Sequence, residues 1–234
     1  MQPVEHIVRS RTPTPGPEME FVEAALQSAQ ESGVWHDEDP PIFFREPALP
    51  TGFPDLVGVF LNRQDLLFTP ERLRLRGEHL QILHHVFSAR GTTLRATAEA
   101  LLRSERSLEI LLEELELAEL VRRSSHRVRC VALAEVFVAK RIVAVEAKID
   151  KWADAIRQAV ANTWFASHSF VLLPDRLWSD GLRDFAARFG VGVLTYDGSQ
   201  SRVRLRAEKQ RLPVSYGSWL INEWTIRQAG KPVS

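Results

Sequence analysis

Val143-Ala144-Val145-Glu146-Ala147-Lys148 sets a carboxylate and an ammonium inside an otherwise apolar run. Side chains alternate across a β-strand, so Glu146 and Lys148 share one face while Val145, Ala147 and Ile149 take the other. Burying an ion is costly unless it is paired or binds a metal, so this strand demands a compensating partner. A second stretch of the same kind lies far upstream. Gly52-Phe53-Pro54-Asp55-Leu56-Val57 carries Asp55 into an apolar strand, and Asp55 is the obvious candidate.

Working outward, the strand at 141–149 is followed by a helix in which Trp152, Ala155, Ile156, Ala159 and Val160 recur at helical spacing. A strand at 169–173, a helix near 177–189 ended by Gly190, a strand at 192–196 and a basic strand at 202–206 come next, with a short packing helix at 216–228. Upstream, Phe21, Val22, Ala25, Leu26 and Ala29 predict a helix over 17–33, followed by strands at 42–46 and 55–62. Residues 71–133 change character: helical patterns at 76–89, 93–102 and 107–117 give way to strand-like alternation over 120–133, with Ser124-Ser125 at a turn. Strands alternating with helices define the α/β class. The expected organisation is a flexible arm over 1–16, a core formed by 17–70 and 134–234, and an inserted module over 71–133.

Pro54-Asp55 together with Glu146-x-Lys148, in this order of elements, resembles the PD-(D/E)xK nuclease superfamily. The resemblance implies a restriction-endonuclease-like mixed sheet flanked by helices, and a DNA endonuclease acting in DNA repair or in defence against foreign DNA. It implies Mg²⁺ (or Mn²⁺) held by Asp55, Glu146 and the carbonyl of Ala147, with Lys148 orienting or deprotonating the attacking water. Hard oxygen donors suit that ion, which stabilises the charge developing at a phosphodiester. Glu23 on the first helix would complete the site, in competition with Glu20; Glu46 is another auxiliary acid, and Gln158 would face the site or the DNA. A homodimer is implied because two strands need two cutting centres. The alternatives are a DNA-binding or regulatory protein that keeps the fold without cleavage, and a simple ion pair of Glu146 with Lys148 at a sheet edge.

The 71–133 block resembles a winged helix-turn-helix, which implies Arg103, Ser104, Arg106 and Ser107 on a recognition helix and Arg122, Arg123, His126, Arg127 and Arg129 on a wing. Arginine suits both tasks through bidentate contacts to guanine or phosphate. The departure from that pattern is Glu105, Glu109, Glu113, Glu114 and Glu116, which make the third helix acidic and repel DNA along its length. Dimerisation or protein docking is therefore the competing role for this module.

Thirty basic residues balance thirty acidic ones, yet 1–70 carry a net −7, 71–130 a net +2 and 131–234 a net +5. An acidic front and a basic back let a phosphate backbone lie along one surface, although solvated charge is commonly uneven. A 44% hydrophobic, 26% charged chain is ordinary for a globular protein and excludes disordered and collagenous classes. One cysteine, Cys130, can form no intrachain disulfide and no cysteine-based zinc framework, as befits a cytoplasmic protein. No run approaches the roughly 20 apolar residues that span a bilayer, so no membrane association is expected. Neither a phosphate-cradling G-x-x-x-x-G-K nor a dinucleotide fingerprint occurs, so no nucleotide cofactor is expected. Arg202, Arg204 and Arg206 alternate along one strand and could track phosphates or form a solvated edge.

Overall fold

The computed structural model describes residues 16–29, 35, 41–62, 69–213 and 215–229. The arm expected over 1–16 lies, but for Gly16, outside the described residues, as does the end of the first predicted helix. Two compact units emerge, one from Met1–Leu61 with Ala139–Ser218, the other from Asn62–Val138 with Trp219–Ser234.

The first unit is α/β, built on a six-stranded mixed sheet. Its strands are β1 (Ile42–Arg45), β2 (Leu56–Leu61), β5 (Ala139–Ala147), β6 (His168–Pro174), β7 (Gly192–Tyr196) and β8 (Ser201–Leu205), in the order β1-β2-β5-β6-β7-β8. The β1/β2, β2/β5 and β7/β8 pairs are antiparallel, whereas β5/β6 and β6/β7 are parallel. The parallel pairs need crossovers, and α6 (Trp152–Asn162) and α7 (Asp180–Arg188) supply them. Ser179 caps α7, its Oγ accepting the Leu182 N–H at 3.2 Å.

Alternation assigns the faces. Val143, Val145 and Ala147 of β5, with Phe170 and Leu172 of β6, pack in one cluster with Ala25 and Leu26 of α1 (Pro17–Ala29). Val171 and Leu173 pack instead with Ala155, Ile156 and Ala159 of α6 and Leu182 and Ala186 of α7. Glu146, between Val145 and Ala147, thus points away from the cluster that contains α1. Gly58 of β2 is required by packing, because any Cβ there would collide with the buried ring of Trp35.

The second unit opens with α2 (Gly77–Ser88), α3 (Leu94–Ala100) and α4 (Glu105–Leu117), followed by the hairpin β3 (Val121–Arg123)/β4 (Val128–Cys130) and α5 (Leu133–Val136). Thr93 and Ser104 cap α3 and α4, accepting the N–H groups of Ala96 at 3.1 Å and Ser107 at 3.2 Å. Between α2 and α3, Thr92 bridges Val128 through a reciprocal backbone pair of 2.9 and 2.8 Å, adding a third short strand to the hairpin. The residues from Trp219 onward in α8 (Tyr216–Ala229) belong to this unit, and Trp219 packs edge-on against Phe87 and Phe137. The expected 71–133 block lies within this unit, whereas the sequence placed 62–70, 134–138 and 219–234 with the core. The two aromatic contacts of Trp219 tie the last of these stretches to the second unit.

Candidate functional site

Asp55 sits immediately before β2, and Glu146 is the penultimate residue of β5. Leu56 pairs with Val145 in antiparallel register, so one further step sets Asp55 against Glu146. The expected convergence of two residues 91 positions apart is thereby a matter of strand register. The Asp55 Oδ2 accepts the Ala147 N–H at 2.7 Å, which fixes its carboxylate over the β5 backbone. Its own carbonyl accepts the Glu46 N–H at 3.3 Å, closing the turn between β1 and β2 with Glu46 in a left-handed conformation (φ 43°).

Glu146 is only 6% exposed. Its Oε1 accepts a hydrogen bond from the Asn162 Nδ2 at 2.7 Å. Burial raises its pKa to about 8, and the charge of Asp55 and a hydrogen bond between the two carboxyls push in the same direction, against the opposing influences of Asn162 and Lys148. Lys148 lies just past the end of β5, continuing the sheet through its N–H to the Leu172 carbonyl at 3.0 Å, and its half-buried side chain is close enough to influence Glu146 electrostatically. Asp55, Glu146 and Lys148 therefore share one end of the β2/β5 pair.

The auxiliary residues are placed differently. Glu23 on α1 forms an ion pair at 3.4 Å with the buried Arg45, the last residue of β1 and the cross-strand partner of Leu56. Gln158 is exposed, whereas Asn162, one turn further along α6, is buried and holds Glu146. Both Arg45 and Asn162 escaped the sequence reading. Arg45 closes the apolar Ile42-Phe43-Phe44, the same charge-in-a-greasy-strand signal that exposed Asp55 and Glu146. Asn162 continues the buried series Ala155, Ala159 of its helix, so a polar residue at a core position was there to be read.

A divalent cation is what the family resemblance implies, and the neighbouring carboxyls of Asp55 and Glu146 are the hard oxygen donors the chain offers for one. Two carboxyls held together in a partly dry site disfavour double ionisation, and a hard cation relieves that repulsion. Among the described residues no group of three or more His, Cys, Asp or Glu side chains could hold a metal, so Asp55 and Glu146 would need backbone carbonyl or water oxygens to complete a set.

In the second unit, the nominated arginines divide into two groups. Arg103 pairs with Glu78 at 3.3 Å, and Arg123 folds back on α4 to pair with Glu109 at 3.2 Å and Glu116 at 3.7 Å. Glu114 is taken up by His79. Arg106, Arg122, Arg127 and Arg129 are exposed. Arg122 and Arg129 stand directly opposite each other in the hairpin, and a groove of about 530 Å³ runs past them, lined also by Arg127 and Cys130. Like charges face to face are unfavourable without an anion between them. Burial raises the Cys130 thiol to about 11, against a smaller opposite pull from Arg72, so it is no nucleophile at neutral pH. Ser104 and Ser107, nominated for base contacts, are exposed and joined in the α4 cap.

No helix among the described residues is long and apolar enough to cross a membrane. No family model, curated protein or solved structure matches the chain.

Proposed function

We propose that the chain is a Mg²⁺-dependent DNA endonuclease of the PD-(D/E)xK type. The observation that carries this reading is the pairing of Asp55 and Glu146 at one end of adjacent strands with Lys148 two residues on. Asp55 and Glu146, with the Ala147 carbonyl, would hold the cation, which supplies Lewis-acid stabilisation of charge at the scissile phosphate. The Ala147 N–H keeps Asp55 in place, Asn162 steadies Glu146, and Lys148 positions the attacking water with its ammonium. A winged helix-turn-helix role for the second unit would add duplex contacts through Arg106, Arg122, Arg127 and Arg129, the exposed members of the nominated set.

Purified protein with Mg²⁺ or Mn²⁺ should nick plasmid or branched DNA, and Lys148→Ala should lower the rate roughly 10²–10⁴-fold while leaving DNA retention intact. Unchanged cleavage in that variant removes Lys148 from the mechanism. Retention without cleavage in the unaltered chain favours the DNA-binding protein that keeps the fold alone.

One observation favours a second reading for the second unit. The acids of α4 already occupy Arg123 and His79, and the same helix exposes Ile110 and Leu117 seven residues apart on one side. An acidic, partly apolar helix face suits docking of protein, a second copy included, better than a DNA groove.

A further inference from the structure

The basic strand singled out in the sequence is not one continuous row of phosphate contacts. Register slips between Val193 and Leu194, so Arg204 falls between the paired residues Val203 and Leu205. Arg202 pairs with Asp197 at 3.0 Å, and Arg204 with Asp175 at 2.6 Å. Arg206 has no carboxylate partner among the described residues, and it lines a pocket beside this strand.

That pocket, of about 440 Å³ in the first unit, is lined by Arg141, His168 and Arg206 together with Val143, Phe170, Val203, Ala207 and the Asp175-paired Arg204. Its volume falls within the roughly 300–1,000 Å³ of small-molecule sites. Val143 and Phe170 belong to the cluster packed with α1, so the pocket lies on the sheet face opposite Glu146, and toward the other end of β5. No acidic residue lines it. Arg141 is held over the ring of Phe60, 3.7 Å from its centroid, which limits the freedom lost on binding a ligand. His168 Nδ1 lies 3.0 Å from the Ser167 Oγ, orienting the imidazole. Burial first, and then the charges of Arg141 and Lys209, hold the His168 pKa below its ordinary value. Val203, more than a third exposed, offers an apolar wall beside these cations.

We propose that this pocket is a second ligand site that takes a nucleotide by its phosphate, with Arg141 and Arg206 on the phosphate oxygens and the sugar or base against Val203. Guanidinium groups match phosphate oxygens in pairs, and an apolar wall beside them selects an ester over the bare ion. The nucleotide is either free or the phosphorylated end of a strand. The site is independent of the endonuclease reading, because none of its residues belongs to the Asp55, Glu146 and Lys148 group.

Calorimetry on the full chain at fixed ionic strength, with a 5′-mononucleotide, a 5′-phosphorylated oligonucleotide and inorganic phosphate as separate titrants, tests this. Mononucleotide binding should weaken tenfold or more in Arg206→Glu and in Arg141→Gln, and the His168 ring resonances should titrate at higher pH once ligand is bound. Arg206 is exposed, so its variant keeps the test open if loss of Arg141 from Phe60 impairs folding. Tighter binding of the oligonucleotide assigns the strand end, and equal binding assigns the free nucleotide. Unchanged affinity in Arg206→Glu, or no heat and no His168 response at millimolar mononucleotide, overturns the site. Equal affinity for inorganic phosphate and mononucleotide overturns the nucleotide assignment.

Discussion

Among the described residues two glutamates are almost completely buried, and their surroundings differ in kind. Glu223, on α8 in the second unit, is 1% exposed and forked by one arginine, with Arg72 Nε at 3.1 Å from Oε2 and Nη2 at 2.8 Å from Oε1. Asn222 adds an amide donor at 2.9 Å, and Arg72 also donates to the Val136 carbonyl. Glu146, in the first unit, has a neutral amide, a second acid and a lysine as neighbours, and the balance leaves its proton tightly held. A buried charge that serves the fold is matched by an opposite charge in good geometry. Where the match is only partial and two acids are brought together, the pKa is strongly perturbed, which marks a candidate site rather than a fastening. That contrast separates a fastening from a site more sharply than burial does.

Breaking the fastening should give the largest effect. Glu223→Ala removes the carboxylate that forks the buried Arg72 guanidinium, so the second unit should lose about 3–5 kcal/mol in urea unfolding followed by tryptophan fluorescence. A loss under 1 kcal/mol would show that Arg72 is solvated in solution, and the contrast with Glu146 would fail.

Glu146 should behave in the opposite sense, and its pH dependence has a definite sign. Its folded-state pKa, about 8, lies above its ordinary value of 4.5, so the folded chain binds the extra proton between those limits. Stability from this group is complete below about pH 4.5 and is lost as pH rises toward 8, each pKa unit being worth about 1.4 kcal/mol. Glu146→Gln keeps an acceptor for Asn162 and carries no charge, so its Tm should exceed that of the unaltered chain at pH 8.5 and converge with it near pH 5. Adding Mg²⁺ should raise the Tm of the unaltered chain at pH 8.5 and leave the variant's nearly unchanged. A variant less stable at both pH values would mean that Glu146 is a structural ion-pair partner like Glu223.

What the sequence made legible follows from periodicity and from charge. Val143 to Lys148 is an apolar run broken by two charges two positions apart, so the strand and the shared side of Glu146 and Lys148 could both be read, as could the helix carrying Ala155, Ile156 and Ala159. The meeting of Asp55 with Glu146 could only be guessed, since register between strands so far apart is set by tertiary packing such as Trp35 against Gly58. The Arg45 pairing with Glu23, the use of Asn162 in place of Gln158, and the folding of Arg123 onto α4 depend on side-chain reach across elements, which no one-dimensional spacing encodes. The slip at Val193/Leu194 breaks the period-two reading of the three arginines for the same reason.

The hairpin gives the smallest and most selective test, because its neighbouring arginines repeat the comparison in miniature. Arg123 is committed to Glu109 and Glu116, while Arg122 stands exposed against Arg129. Arg123→Ala should cost the second unit about 0.2–1 kcal/mol and leave DNA retention nearly untouched. Arg122→Ala relieves a like-charge pair, so stability should hold or rise slightly, while retention weakens and the slope of log K against log salt falls by about 1 if that guanidinium meets a phosphate. Equal salt slopes for Arg122→Ala and the unaltered chain would take Arg122 out of any DNA contact and favour the acidic helix as the working surface of this unit, since a wing that touches no phosphate gives its facing arginines no counter-charge.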